Sequence, residues 1–140
     1  MRFMVILVLG PQGSGKGVQA SLLAKEFDLF YFESGEFLRK IALKRHDIDR
    51  KIKAGVLIED GEMFSLVKDF LGKKGVIGNI VFDGFPRSIK QYQLLKKWLG
   101  KSGTSIDVAV YLEVNESESL KRLSARRVDS KTGKLYNLIT

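Results

Sequence analysis

Residues 4–19 read MVILVLGPQGSGKGVQ, and the rest of the chain is organised around them. An apolar run rich in β-branched residues stops at Gly10. A loop carrying Gly13, Gly15 and Gly17, with Lys16 inside it, follows, and an amphipathic pattern begins at once. This order predicts a strand, a glycine-rich loop and a helix, and Gly10 with Gly15-Lys16 fits the G-x-x-x-x-G-K part of a phosphate-binding loop. Glycines let consecutive backbone N–H groups converge on one anion because no Cβ blocks the approach. The start of the helix adds unpaired N–H groups and the positive end of its dipole. Lys16 supplies a point charge for the outer phosphates. The competing reading is a plain strand-to-helix turn with Lys16 a solvated charge, and the motif's usual Ser or Thr after the lysine is here Gly17, then Val18.

Composition narrows the remaining choices. The 140 residues suit one domain with a single core, and the 44% hydrophobic and 29% charged shares are those of an ordinary globular protein. With no Cys, neither a disulfide framework nor a Cys-ligated zinc site is possible, and no zinc is expected. The lone His46 sits in a run of charges and reads as a solvated face residue. No apolar stretch approaches a membrane span and the first strand lacks a signal-peptide pattern, so the expected location is cytoplasmic, with no membrane partner. The net charge of +8 asks for a polyanionic partner, either a polyphosphate nucleotide or nucleic acid. The basic residues recur through the chain instead of forming an arm, which favours charged helix faces and a phosphate pocket. Nucleic acid is the weaker alternative because no aromatic residues interleave with the basic ones.

Taken in order, residues 18–27 predict a helix with Val18, Leu22 and Leu23 on one side and Lys25 and Glu26 opposite. Residues 29–32 predict a short strand. Ser34 is the expected cap of a helix over 35–45, with Phe37, Leu38, Ile41 and Ala42 as its buried stripe. A short helix over 47–54 ends at Gly55, residues 56–58 form an apolar connector, and another helix covers about 60–71. Ile80, Val81 and Phe82 form a buried strand that ends at Asp83. The turn Gly84-Phe85-Pro86-Arg87 leads into a helix over 88–99 that Gly100 should stop. The near-continuous apolar run 106–114 reads as a strand buried on both faces. Asn115 caps a basic helix over 116–127, on which Arg122 and Arg126, spaced i, i+4, share one face and Arg127 does not. Residues 129–136, with Thr132-Gly133 at the centre, read as a hairpin. Strands alternating with helices define an α/β fold with a central parallel, doubly wound sheet. In such a sheet the ligand lies beyond the carboxyl ends of the strands, where Gly10, Ser34, Asp83 and Asn115 fall.

Asp83 ends a hydrophobic strand near the phosphate loop, so it is the candidate to hold Mg²⁺ through water; the alternative is a turn-forming aspartate. Four ordered motifs then carry a resemblance over nearly the whole chain: GPQGSGKGVQ, SGEFLR, DGFPRSIKQ and ARRVDSKTGKLY. Together they resemble the adenylate kinases, a family of P-loop nucleoside monophosphate kinases with a three-layer α/β/α fold. The resemblance implies reversible phosphoryl transfer from ATP, with Mg²⁺, to AMP, giving two ADP, and so a part in nucleotide biosynthesis. It implies a core of residues 1–33 and 78–127, an acceptor-binding helical segment of about 34–72, and the start of a lid at 128–140.

The family's site residues carry over onto matching positions. Gly13, Ser14, Gly15, Lys16, Gly17 and Val18 would cradle the ATP phosphates. Ser34 and Arg39 would hold AMP, and Val56, Leu57 and Ile58 would line its adenine slot. Gly84, Phe85, Pro86 and Arg87 would form the wall behind the AMP phosphate, with Arg87 gripping it. Gln91 would read the adenine edge with its amide, although its spacing from Ser88 also fits a capping box. Arg122 and Arg126 would reach the ATP phosphates in the transition state, and Leu135 and Tyr136 would flank the ATP base. Lys16, Arg87, Arg122 and Arg126 are thus the implied catalytic set.

The chain departs from the family pattern in places. Val18 stands where the family usually has Thr, Gln12 replaces a common proline, Ser34 replaces a threonine but keeps the hydroxyl, and the segment between Arg39 and Gly55 is short. Family members also continue past the lid hairpin with more lid, two phosphate-bridging arginines, a further strand and a closing helix. Without these, the edge and one face of the 106–114 strand are expected to be uncovered, and self-association of an otherwise monomeric chain through that edge becomes possible. Two readings therefore stand: an adenylate kinase core that turns over, with impaired rate, or a nucleotide-binding module with little turnover, completed by a partner or a further C-terminal segment.

Overall fold

The structure is a computed structural model that describes residues 3–138. Strand β1, Val5–Leu9, lies inside a four-stranded sheet of order β2-β3-β1-β4, in which β2 is Phe30–Glu33, β3 is Ile80–Asp83 and β4 is Val108–Tyr111. All three pairings are parallel: Val5 faces Ile80, Phe30 faces Ile80, and Ile6 faces Val108. Parallel neighbours require crossovers, and the helices that supply them cover the sheet. The strand order reverses beside β1, so the loops after β1 and β3 and the end of β4 open into one crevice, as the alternation of elements predicted.

Period-2 alternation divides the inner strands between two cores. Val5, Leu7, Phe32, Ile80 and Phe82 point to one face, where they meet Met63, Val67 and Leu71 of α4 (Asp60–Lys73) and Leu95 and Leu99 of α5 (Ile89–Lys101). Phenylalanines dominate this layer. The Phe32 ring lies 5.3 Å from Phe37 and edge-on to Phe82 at 5.7 Å, and Phe85 packs behind them. Each such ring, fully buried, contributes about 1.5–3 kcal/mol from area alone. Ile6, Val8 and Val81 point to the opposite face and meet α1, Lys16–Glu26.

The seating of α1 differs from the sequence expectation. Ala20 and Ala24 are its buried residues, whereas Val18 and Leu22 are 63% and 55% exposed. Alanines spaced i, i+4 let the helix backbone come close to the strands, and the loop that launches α1 fixes its rotation; only Leu23 of the expected apolar stripe joins the core.

Between β2 and β3 run α2 (Ser34–Ala42), α3 (His46–Lys53) and α4. Glu33, not Ser34, caps α2: its carboxylate accepts from the Gly35 and Glu36 amides. Ser34 is buried, and its hydroxyl donates instead to the Gly84 carbonyl. Gly55, with φ of 69°, closes α3 as expected. Gly100 does not stop α5, which runs on to Lys101; the left-handed residue after it is Gly103.

Two further corrections fall on the last part of the chain. The apolar run 106–114 contributes only four residues of strand, and Val108 and Tyr111 are 49% and 63% exposed, so β4 is not buried on both faces. It is the outer strand on the side opposite β2, and Val110 is its residue packed against the cluster that Ala20 and Ala24 of α1 share. The helix after it, α6, is Glu116–Ser124, capped by Asn115 through the Glu118 amide. It ends before Arg126, which begins β5 (Arg126–Val128), so Arg122 and Arg126 do not share a helix face. A β-strand pairing competes successfully for 126–128: β5 pairs antiparallel with β6, Leu135–Asn137, around the expected hairpin turn at Thr132-Gly133.

Candidate functional site

The loop after β1 has the geometry of an anion cradle. Gly13 has φ of 80°, and a Cβ there would sit 2.8 Å from the Ser119 carbonyl oxygen, so the position admits only glycine. Gly15, in the left-handed region, forms the N-cap of α1 and offers no side-chain hydrogen bond. The other helices differ. Glu33, Glu59, Ser88 and Asn115 cap α2, α4, α5 and α6, and α3 carries Asp47 and Asp49 in its first turn. Among the described residues, α1 is the helix with neither a side-chain cap nor an acid in its first turn. Its N–H groups and positive dipole end are left for an external anion. The Ser14 hydroxyl is buried here without a hydrogen-bond partner.

Lys16 extends from this turn toward Asp83, with Nζ 3.6 Å from Oδ1. Asp83 is 1% exposed and its two oxygens differ. Oδ2 accepts from the Tyr31 hydroxyl at 2.7 Å, and Oδ1 has no hydrogen-bond partner. Burial, reinforced by the Asp83 carboxylate, pushes the Tyr31 hydroxyl far above its ordinary pKa, so it remains a donor. Oδ1, buried beside the Lys16 ammonium, is an acceptor still to be satisfied, and a hydrated divalent cation on a polyphosphate suits it, because Mg²⁺ keeps most of its waters and takes one or two carboxylates. Among the described residues no group of three or more acidic, His or Cys side chains forms a self-sufficient metal site. Asp83 therefore fits a cation that arrives with phosphates.

The turn after β3 forms the opposite wall. Gly84 has φ of 77°, and a Cβ there would meet the Ser34 hydroxyl at 2.7 Å. The Phe85–Pro86 peptide is cis, and Phe85 is buried. Arg87 folds back over the turn: Nε donates to the Gly84 carbonyl at 2.7 Å and Nη2 to the Ser34 hydroxyl at 3.3 Å. Lys16, Gly10 and Gln12 from one side and Gly84, Pro86 and Arg87 from the other line a single open cavity of about 340 Å³.

The remaining expected residues are not among those that line this cavity. Arg39 reaches back along α2 to Glu33, Nη2 to Oε2 at 3.5 Å, while its Nε is buried without a partner. Val56 and Leu57 are 55% and 92% exposed in the connector before α4, with Ile58 half-buried beside them. Gln91 is buried; its Oε1 accepts from the Arg87 amide and its Nε2 donates to Asp60. Its own amide is capped by Ser88, so one half of the capping box is present. Arg122 donates to the Gly13 carbonyl at 3.1 Å and is held by Glu118. Ser119 donates to the Gln12 carbonyl, so α6 grips the outer side of the phosphate loop. Arg126 is half-buried at the base of the hairpin, and Arg127 ties the end of α6 to the hairpin through the Ser124 carbonyl. Tyr136 is half-exposed, and the Leu135 side chain lies outside the described residues.

Sequence reasoning missed four contributors: Tyr31, Glu33, Asp60 and Tyr111. Tyr31 and Glu33 sit in a short apolar strand whose motif drew no attention to them. Asp60 was read only as a helix start, and Tyr111, which lines the cavity, only as part of an apolar run.

An uncapped glycine loop, a lysine and a buried strand-end aspartate at the switch point of a parallel sheet define a P-loop α/β fold. A family model described as adenylate kinase matches residues 8–137. The chain is similar to the adenylate kinase of Thermosipho africanus, 36% identical over 98% of this chain and 66% of that protein. It is also similar to those of Petrotoga mobilis, 38% identical over 98% and 64%, and Methanothrix thermoacetophila, 36% identical over 97% and 65%. The chain belongs to the adenylate kinase family. It spans slightly less than two thirds of the length of these relatives.

Proposed function

We propose that the chain transfers the terminal phosphoryl group of ATP to AMP, reversibly, giving two ADP. The observation that carries this is the shared cavity: Lys16 of the donor loop and Arg87 of the opposite turn line one space, so two phosphate-binding devices face each other across it. Two polyanions repel, and catalysis here is charge neutralisation and alignment. A phosphate oxygen of AMP attacks the terminal phosphorus of ATP, the bond from that phosphorus to the bridging oxygen breaks, and its electron pair leaves with ADP.

Gly13, Ser14, Gly15, Gly17 and Val18 give the donor phosphates backbone N–H groups and the α1 dipole, and Lys16 neutralises charge on the transferring group. Ser34, Arg39 and Arg87 hold the acceptor phosphate, Val56, Leu57 and Ile58 take its base, and Gln91 reads the base edge. Arg122 and Arg126 approach the donor from α6 and β5, and Leu135 and Tyr136 cover the donor base. Mg²⁺, when bound with ATP, adds charge neutralisation on the phosphates, and Asp83 Oδ1 is the group that would hold its water shell. In this proposal about 34–72 is the acceptor-binding helical segment and 128–140 the start of a lid, on a core of 1–33 and 78–127, with residues 1, 2, 139 and 140 outside the described residues. No helix among the described residues is long and apolar enough to cross a membrane, and a cytoplasmic site of action belongs to the same proposal.

The test is ADP formation from ATP, AMP and Mg²⁺ in a coupled assay, with Lys16→Ala as the reference. Turnover well above that variant supports the reading. Turnover no greater than the variant's, with ATP and AMP still bound in calorimetry, leaves a nucleotide-binding module.

A further inference from the structure

We infer that the Gln12 carboxamide is a further phosphate ligand in the cavity, donating from Nε2 to the phosphoryl group held between Lys16 and Arg87; this rests on the proposal that the cavity takes the phosphates of ATP. The family pattern does not supply such a group. A proline is common at this position, and proline has no side-chain donor. In this chain Gln12 is exposed and lines the cavity together with Gly10, Lys16, Gly84 and Arg87. Among the described residues its hydrogen bond is made by the main chain, whose carbonyl accepts from the Ser119 hydroxyl of α6, and the carboxamide is left for a ligand.

The main chain that carries this side chain is held. Gly13, the next residue, lies against α6, where a Cβ would come within 2.8 Å of the Ser119 carbonyl oxygen and 3.2 Å of its hydroxyl oxygen. Arg122 of the same helix donates to the Gly13 carbonyl at 3.1 Å. The carbonyls of Gln12 and Gly13 are thus both tied to α6, and the Gln12 side chain starts from a fixed point at the rim of the cavity. A side chain on a held backbone has less freedom to lose on binding than one on a mobile loop. The chemistry suits the place. Lys16 and Arg87 neutralise charge, and the transferring group spreads its charge over three oxygens that still need donors. A carboxamide offers two N–H groups without adding a further charge, and a bond to an anionic oxygen is charge-assisted.

The test is calorimetric binding of ATP with Mg²⁺ to the full chain and to Gln12→Met, Gln12→Lys and Gln12→Glu, with urea unfolding of each. Gln12→Met, similar in length but without a donor, is expected to bind ATP about tenfold more weakly at an unchanged urea midpoint. Gln12→Lys restores a donor and should bind at least as tightly as the wild type. Gln12→Glu should bind more weakly than Gln12→Met, because its carboxylate repels the phosphates and competes for Lys16 and Arg87. Wild-type affinity in Gln12→Met, or a Gln12→Lys as weak as Gln12→Met, overturns the inference. So does a fall in the urea midpoint of Gln12→Met, which would make Gln12 a structural residue. A wild-type chain that binds no ATP overturns the donor-site reading beneath it. The series reads binding alone, so a chain that binds ATP without turning it over is judged by the same order of affinities.

Discussion

The two outer strands of the sheet pair with equally buried inner neighbours, yet they lead different lives. On the β2 side, Phe32 is 2% exposed and sits in a nest of rings from α2, α4 and β3. On the β4 side, Val108 and Tyr111 are about half exposed, and α6 beyond them buries no residue. Both strands are apolar in sequence. A strand's composition states only which surfaces would gain from cover, and burial follows where another layer supplies it. Among the residues proposed for the acceptor, Ser34 and Gln91 are buried, whereas Arg122 and Tyr136, proposed for the donor, are partly exposed.

The largest effect that would expose this asymmetry is a cavity. Phe82→Ala, in the middle of the ring cluster, should cost about 3–5 kcal/mol, whereas Val108→Ala on the outer strand should cost less than about 1 kcal/mol. Urea unfolding with a common m-value measures both. Comparable losses at the two positions would mean that β4 is covered in solution and the contrast between flanks is false. Next comes Lys16→Ala. Removing one preorganised donor at the transferring phosphate should lower turnover by about 10²–10³-fold. It also leaves the buried Asp83 carboxylate without its cation, so turnover is compared under conditions where urea unfolding shows both proteins folded.

The frame itself was largely legible. Residues 4–19 already imply strand, loop and helix, and the alternation after them implies a parallel sheet. The misreadings have local physical causes. Glu33 took the cap of α2 because its longer side chain reaches two amides, leaving Ser34 free to bridge to Gly84. The i, i+4 pairing of Arg122 with Arg126 failed because antiparallel pairing with 135–137 claimed 126–128. Tyr31 could not be found from its motif, since its role depends on β2 lying beside β3 so that Glu33 and Asp83 share a register. Contacts between residues 52 positions apart are written in topology, not in local pattern.

Tyr31 supplies the third and smaller effect. Tyr31→Phe keeps the ring but removes the donor to Asp83 Oδ2, and a buried carboxylate oxygen left without its partner should cost about 1–3 kcal/mol. The readout that distinguishes positioning from packing is the ratio of ATP affinities with and without Mg²⁺. It should shrink in the variant while metal-free ATP binding holds. Equal ratios in the two proteins would make Tyr31 a packing residue only.

The smallest expected effect lies on the seam between acceptor helices and core. Glu59, at the cap of α4, pairs with Lys90 at the start of α5, Nζ to Oε1 at 2.8 Å. The Lys90 ammonium first, then the Gly61 and Glu62 amides, lower its carboxyl from the usual 4.5 to about 2. A depressed folded-state value means that the ionised carboxylate is the stabilising form. Its contribution is complete above the unfolded value, shrinks as pH falls below 4.5, and is gone once pH passes about 2. Both side chains are well exposed, so salt should screen the effect. In thermal melts, Lys90→Met should melt below the wild type at about pH 6, and the gap should narrow toward pH 2 as Glu59 gains its proton. Adding about 0.5 M salt at the higher pH should close part of the same gap. A gap that persists unchanged at low pH would assign the loss to the stem of Lys90 packing on its neighbours, and the clasp between α4 and α5 would then rest on the Asp60–Gln91 bond instead.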